Sequence, residues 1–305
     1  MSEIIKNRSE ILFLYDVKDA NPNGDPIDEN KPRIDEETGV NIVTDVRLKR
    51  TIRDYLFEHK GYEVFIREIR MEDGNLKSKE DRIKDIGFDS ILEKCIDIRL
   101  FGSTTAVEKQ TIALTGPVQF KYGRSLHKVD LTYIKGTTVM PSGGGKQQGT
   151  FTEKYILPYS LIAFYGVVNE NAAQTQNIPL TDQDIDVMLE GIWNGTKNLI
   201  SGSKFGQMPR LLLQIVYKEK LDFHIGELDK LISLKTDLND EAIRDISDVK
   251  VDLTPLVNKL NQHNDKIKKI RYKLDDRISL LFNGNELRLN EILNNFWMKK
   301  SVTIE

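Results

Sequence analysis

One cysteine (Cys95) and four histidines (His59, His127, His224, His263) in 305 residues leave little material for disulfides or zinc. A single thiol forms no internal bridge, and the histidines stand too far apart for zinc-ligand spacing. No apolar run is long enough to cross a bilayer, and the N-terminal MSEIIKNRSE has no signal-peptide core. A cytoplasmic address with no membrane partner is therefore expected. An excess of positive charge is also lacking. The 44 Lys plus Arg against 47 Asp plus Glu give a net charge of -3 and a pI near 6.0, which excludes a protein cationic over its whole surface. No internal repeat is visible, and 39% hydrophobic residues suffice for a core. The chain is expected to form one elaborated domain over 1–305.

What is present begins with EILFLYDV (Glu10 to Val17), short and apolar enough for a buried strand. The segment 18–44 follows, punctuated by Asn-Pro, Asn-Gly and Asp-Pro, and reads as a long loop insertion. Thr44 then offers an N-cap to a helix over 45–58, in which Leu48, Ile52, Tyr55 and Leu56 form one stripe. Arg47, Lys49, Arg50 and Arg53 recur at spacings of three and four and are expected on the flank and outer face of that helix. A charged insertion fills 61–87, and a second helix is expected over 89–100, ending at Gly102.

Strands are expected at 115–122, 155–168 and 210–217. A long hairpin with SGGGKQQGT near its tip spans 123–154, and a helix capped by Thr181 precedes the last strand. Strand, helix, strand, strand, helix, strand is the order of the ferredoxin-like, RRM-type unit, an α+β fold. The segment 218–305 reads as a C-terminal extension packed on that sheet.

Charge is segregated along the chain. Residues 18–37 carry seven acids against three bases and 222–252 nine against four, while 116–160 carry six bases against two acids and 201–220 four against one. Positive segments on the first helix, the long hairpin and the last loop can line one groove, and spaced cations with amides between them suit a phosphodiester backbone.

Several motifs resolve into ordinary structure. Asp19 to Asp25 imitates the start of a calcium loop, but Asn30 stands where the bidentate Glu belongs, so turn chemistry explains it better. GGGK at 143–146 lacks the spacing and the following hydroxyl of a phosphate loop. Neither Cys95 nor His127 has a catalytic partner beside it in sequence, and the RRM aromatic signature is missing. Asp16, Asp19 and Asp25 could activate a metal or a ribose hydroxyl, although turn-forming and capping roles account for them more simply.

Five segments in order then resemble a known family. They are Asp16-Val-Lys-Asp-Ala-Asn-Pro-Asn-Gly-Asp-Pro26, Thr44-Asp-Val-Arg-Leu-Lys-Arg50, Asp97-Ile-Arg-Leu-Phe-Gly102, Gly116-Pro-Val-Gln-Phe120 and Gly123-Arg-Ser125. Together they resemble the backbone subunit of type I CRISPR Cascade surveillance complexes, the "Cas seven" family of the RAMP superfamily in its I-B-like branch. The match runs from Arg8 to about Tyr217.

The resemblance implies an RRM-like palm, a finger insertion at 59–112 and a thumb hairpin at 123–154. It implies copies joined head to tail in a helical filament along a CRISPR RNA, which pairs with target DNA. Further partners would be the 5'-end cap, large and small Cascade subunits and the repeat-processing endonuclease. RNA contacts would come from Asn21, Asn23, Arg47, Lys49, Arg50, Arg53, Ser103, Thr104, Arg124, His127, Lys204, Phe205 and Gln207, with Val139, Met140 and Phe151 as thumb wedges. No catalytic residue, metal or cofactor is implied. Two alternatives remain: a type III-like backbone subunit that cuts target RNA with a loop aspartate, and an RRM-like interaction protein that binds no RNA.

Overall fold

The computed structural model describes residues 3–107, 110–137, 151–297 and 303–304. Its centre is β1 (Ser9–Ala20), longer than the apolar run alone suggests. The main sheet adds β2 (Val40–Val43), β3 (Val118–Phe120), β4 (Gly123–Lys128), β5 (Thr132–Thr137), β6 (Phe151–Val168), β7 (Met208–Tyr217) and β8 (Ile267–Leu274). Strand β1 lies between β6 and β7, antiparallel to both, with Phe13 opposite Phe164 and Leu212. The path across the sheet is β8, β7, β1, β6, β4, β2, and Thr303–Ile304 adds a parallel strand outside β8. Helices α1 (Asp45–Glu58) and α2 (Asp182–Lys197) supply the two crossovers. The inner order β7, β1, β6, β4 with two helices is the ferredoxin-like arrangement, and the fold class is α+β.

Side chains alternate along β1 between two cores. Ile11, Phe13, Tyr15 and Val17 meet Leu48, Ile52 and Leu56 of α1 and Ile185, Met188 and Ile192 of α2. Leu12 and Leu14, with Leu161, Leu211, Leu213 and Ile215, meet Leu228, Ile246, Val251, Leu256, Leu280 and Ile292 of the C-terminal extension. The extension therefore covers the sheet face on which an RRM stacks bases. Glu10 anchors it there. This fully buried carboxylate accepts bonds from Tyr165 Oη (2.6 Å), Tyr217 Oη, Ile225 N (2.8 Å) and Gly226 N (2.7 Å).

Both helix starts are capped as the sequence predicts. Thr44 Oγ1 accepts from Arg47 N, and Thr181 forms a reciprocal box with Asp184, each cap worth about 1 kcal/mol. The helices approach closely at Gly195, where an added Cβ would lie 3.0 Å from Thr51 O.

Several segments differ from expectation. The 18–44 loop contains the short ladder Gly24–Asp25 with Lys31–Pro32, and it ends in β2, which extends the sheet beyond β4. The helix expected over 89–100 is broken at Cys95, whose φ of -97 and ψ of 105 separate Ile91–Lys94 from Ile96–Phe101. The charged insertion holds a further helix, Lys79–Ile86, with its own Ser78–Asp81 capping box.

The expected long hairpin is tied to the sheet at its base: Gly123–Lys128 pairs with β2 and, through Arg124 and Ser125, with Ala163 and Ile162 of β6, and β5 pairs with the first residues of β6. Its expected tip, 138–150, lies outside the described residues. The strand expected at 115–122 divides in two. Val118–Phe120 joins β6, whereas Thr115 closes a separate hairpin of Gly102–Val107 with Gln110–Thr115.

Candidate nucleic-acid interface

The cations of α1 have two fates. Lys49 is buried, with Nζ 2.8 Å from Asp45 and 3.3 Å from Gln119 Oε1, and it lies over the Phe101 ring. Arg53 is buried against the same ring and donates from Nε to Asp97 at 2.9 Å. Asp97 is fully buried and also accepts from Phe65 N (2.8 Å) and Ile66 N (3.1 Å). These two residues thus join the palm to the insertion, which corrects their expected place on an outer helix face. Spacing puts them on one face of the helix, but only the fold decides that the insertion covers that face. Arg50 does face solvent, where it forms a two-pronged pair with Asp54 at 2.7 and 2.9 Å.

Arg47, one turn earlier, is different. Its guanidinium donates to Thr51 Oγ1 at 3.0 Å, and burial holds its pKa below the ordinary value. Lys204 is half-buried, donates to Ser203 Oγ at 3.2 Å, and is likewise held down by burial and then by the charge of Arg47. Among the described residues neither forms an ion pair with a carboxylate. Two cations partly withdrawn from water and not paired with an acid repel each other, and an anion between them relieves both penalties.

The backbone holds this pair in place. The turn at 201–206 closes with Lys204 N and Phe205 N on Ser201 O, and Asn21 N at the exit of β1 donates to Ser203 O at 2.7 Å. Asn21 is buried and gives Nδ2 to Asn30 O. Gln207 is buried just before β7. Around them Val46, Ile200 and Phe205 are exposed, Phe205 by 74%. Asn21, Lys204, Phe205 and Gln207 are thereby gathered around one turn, and the charge of Arg47 is felt there at Lys204.

Comparison with known proteins gives the family. The family model described as "CRISPR-associated protein Cas7" matches residues 7–254. The chain belongs to the Cas7 family. It is 34% identical to a Haloferax volcanii protein named CRISPR-associated protein Cas7, over 95% of this chain and 92% of that one. Among solved structures, a chain of a "CRISPR RNA-guided surveillance complex, pre-nicking" superposes with a TM-score of 0.54 at 12% identity, covering 90% of this chain and 96% of that one.

The other expected site residues of this Cas7 chain fall elsewhere. Asn23 is spent on structure, since its Oδ1 accepts from both Thr44 N (2.8 Å) and Thr44 Oγ1 (2.9 Å) and so braces the cap of α1. His127 is buried and stacked on Tyr159, its Nε2 accepting from Leu161 N and its Nδ1 donating to Lys128 O. Burial lowers its pKa, and both ring nitrogens are engaged within the chain. Arg124 is exposed and pairs with Asp35 at 3.2 Å. Ser103 is half-buried and Thr104 exposed on the Gly102–Val107 strand.

That hairpin's root demands glycine. Gly102 has a φ of +71, and a Cβ on Gly116 would lie 2.0 Å from Phe101 C. Of the thumb residues, Phe151 is 61% exposed with Lys135 Nζ over its ring, while Val139 and Met140 lie outside the described residues.

The loop acids are mostly engaged. Asp16 is buried between Arg210 (2.8 Å) and Tyr159 Oη (3.1 Å), its pKa raised chiefly by burial, and Asp25 pairs with Arg33. Asp19 is exposed, in a left-handed conformation. Among the described residues no helix is long and apolar enough to cross a membrane.

Segment charge brought Arg47 and Lys204 to one expected groove, but across 157 positions nothing local singled out this pair from the other cations of α1. Asp97 had one: a lone carboxylate in the apolar run Ile96 to Phe101, a pattern that implies a buried partner.

Proposed function

We propose that this Cas7 chain is a guide-RNA-binding backbone subunit of a CRISPR RNA-guided surveillance complex and has no catalytic role of its own. The observation that carries the reading is the pair Arg47 and Lys204, both half-buried and outside any ion pair among the described residues, with the charge of Arg47 lowering the pKa of Lys204. Such a pair suits a phosphodiester backbone, which supplies regularly spaced negative charge regardless of sequence. The complexes whose chains share this fold are named as CRISPR RNA-guided, which supports RNA as the polyanion. Copies of the chain would then follow one another along the guide with the β5–β6 hairpin projecting toward a neighbour, and the guide would select target DNA by pairing. The other Cascade subunits would join this filament.

The non-catalytic reading is supported by Asp16 and Asp25, each held by an arginine. Sequencing of nucleic acid that co-purifies with the chain tests the proposal. Repeat-derived CRISPR RNA is expected, and purification free of nucleic acid at low salt would refute it. Incubation of the loaded complex with complementary RNA and magnesium tests the non-catalytic part, because periodic cleavage lost in Asp19→Ala would overturn it.

A further inference from the structure

Ile27 is 95% exposed, the most exposed of the large apolar side chains among the described residues. A lone exposed isoleucine is ordinary, but this one is held out on a fastened turn. Asp25 O accepts from Asp28 N (3.2 Å) and Asn30 N (2.8 Å), and Asp25 Oδ1 accepts from Ile27 N (3.1 Å). Asn21 Nδ2 on Asn30 O and Tyr155 Oη on Glu29 (2.9 Å) tie the turn to the end of β1 and to β6. A turn already fixed in one shape loses little freedom when it docks.

On another part of the chain, α2, β7 and β8 enclose a groove of about 300 Å³ walled by Leu189, Trp193, Leu212 and Tyr272. That size is at the small end for ligand pockets and suits one aliphatic side chain better than a cofactor. The charges at its rim are matched except for one. Asp186 pairs with Arg271 at 2.6 Å and Glu190 with Lys60 at 2.6 Å. Lys273 is exposed, lies over the Trp193 ring at 5.3 Å, and has no carboxylate partner among the described residues. The turn has the complementary imbalance: Asp25 is taken by Arg33, while Asp28 and Glu29 share the single cation Lys31.

A chain cannot fill its own groove. Register places Lys273 beside Leu212, Leu212 beside Phe13, and Phe13 beside Phe164. Tyr155, which holds the turn, is nine residues from Phe164 along β6, roughly 30 Å at the rise of a strand, and β6 is itself three strands away from β8. An apolar knob with excess negative charge and an apolar socket with an unmatched cation, far apart on one chain, fit each other between two copies. Such a contact uses a different patch on each partner and repeats without closing.

We propose that Ile27 of one copy seats in the Trp193 groove of the next, with Asp28 set against Lys273, as a contact between copies made by protein alone. The inference rests on the reading above only in that several copies of the chain meet in one complex, and it adds the two surfaces that meet there.

The test uses two single-cysteine additions to the full chain, Ile27→Cys and Asp186→Cys, the native Cys95 being buried. Each is stripped of nucleic acid at high salt and treated with a short bismaleimide, alone and mixed with the other, both free and after loading on RNA long enough for several copies. A cross-linked dimer is expected in the mixture and not in either variant alone. In sedimentation of the otherwise unmodified chain, Ile27→Asp is expected to weaken self-association by about tenfold or more, the size of burying one aliphatic side chain. Lys273→Glu is expected to weaken it several-fold, and adding Asp28→Lys to Lys273→Glu, which only exchanges the two charges, is expected to restore most of the loss. Affinity for an RNA short enough to hold one copy is expected to be unchanged by Ile27→Asp, which also shows that the variant is folded.

Absence of the mixed cross-link both free and on long RNA, from chains that still bind RNA, overturns this contact and leaves the guide-binding reading intact. A mixed cross-link from chains that bind no RNA upholds the contact and overturns that reading.

Discussion

Two places on and around α1 use the same residue types to opposite ends. At Lys49 and Arg53 each cation is matched: Asp45 and Asp97 neutralise them, the Phe101 ring covers them, and Asp97 also takes two backbone N–H groups of the insertion. At Arg47 and Lys204 neither cation forms an ion pair among the described residues, the charge of Arg47 lowers the pKa of Lys204, and each side chain donates to a hydroxyl. The first arrangement is complete in the folded chain, and in the proposed reading a phosphate completes the second. A cation's place on a helix therefore says little about its role until its counter-charge is found.

The comparison can be broken at its structural end with the largest effect. Arg53→Ala leaves the buried Asp97 without its cation and should cost about 3–5 kcal/mol of stability, read by denaturant unfolding. RNA affinity of the fraction still folded should change little. A variant of wild-type stability that fails to hold RNA would reverse the assignment.

At the other end, Arg47→Ala combined with Lys204→Ala should leave stability nearly unchanged, since no acid is orphaned, and should lower RNA affinity at all sequences. The slope of log affinity against log salt should shrink by about two, one for each lost phosphate contact. Unchanged retention across a salt series would remove this pair from the RNA path.

A smaller effect separates His127 from the ligand site. Its folded-state pKa is lowered by burial, so below about pH 6.5 the unfolded chain takes up the proton first, and stability falls as pH drops toward the folded-state value. Between pH 8 and pH 5 the melting temperature should decline less in His127→Gln than in wild type. RNA affinity at pH 8 should be the same in both, whereas a phosphate-binding imidazolium would make binding tighten as pH falls.

The smallest change is expected at Arg50, exposed and paired only with Asp54. Arg50→Ala should shift stability by no more than about 0.5 kcal/mol in unfolding experiments. It should trim the salt slope by at most about one.

Local signals made much of the palm legible. The run in β1, the apolar stripe and Thr44 cap of α1, the Thr181–Asp184 box of α2 and the strand before Tyr217 all depend on neighbours within a few residues, and their order specified a ferredoxin-like unit. Elements that depend on distant partners were not legible. Val40–Val43 is four residues after a turn-rich loop, and it is a strand because β4 pairs with it. Cys95 breaks a helix whose periodicity continues through it. Gly123–Lys128 reads as one arm of a hairpin, and only its second pairing, with Val40–Val43, makes it an inner strand of the main sheet.

The candidate site divides along the same line. Asn21, Lys204, Phe205 and Gln207 converge on one turn where the charge of Arg47 is felt, whereas Asn23, Lys49, Arg53 and His127 carry equally suitable side chains that the fold spends internally.

The sequence by itself determined the α+β palm and its family, together with a charge distribution in which an acidic chain keeps basic segments. Those follow from local periodicity, capping chemistry and motif order, all encoded within short stretches of chain. Only the tertiary structure decided which cations are matched. Whether a lysine or arginine is spent or available depends on a carboxylate, a ring or a second cation brought from tens to more than a hundred residues away, and electrostatic energy is set by that distance in space.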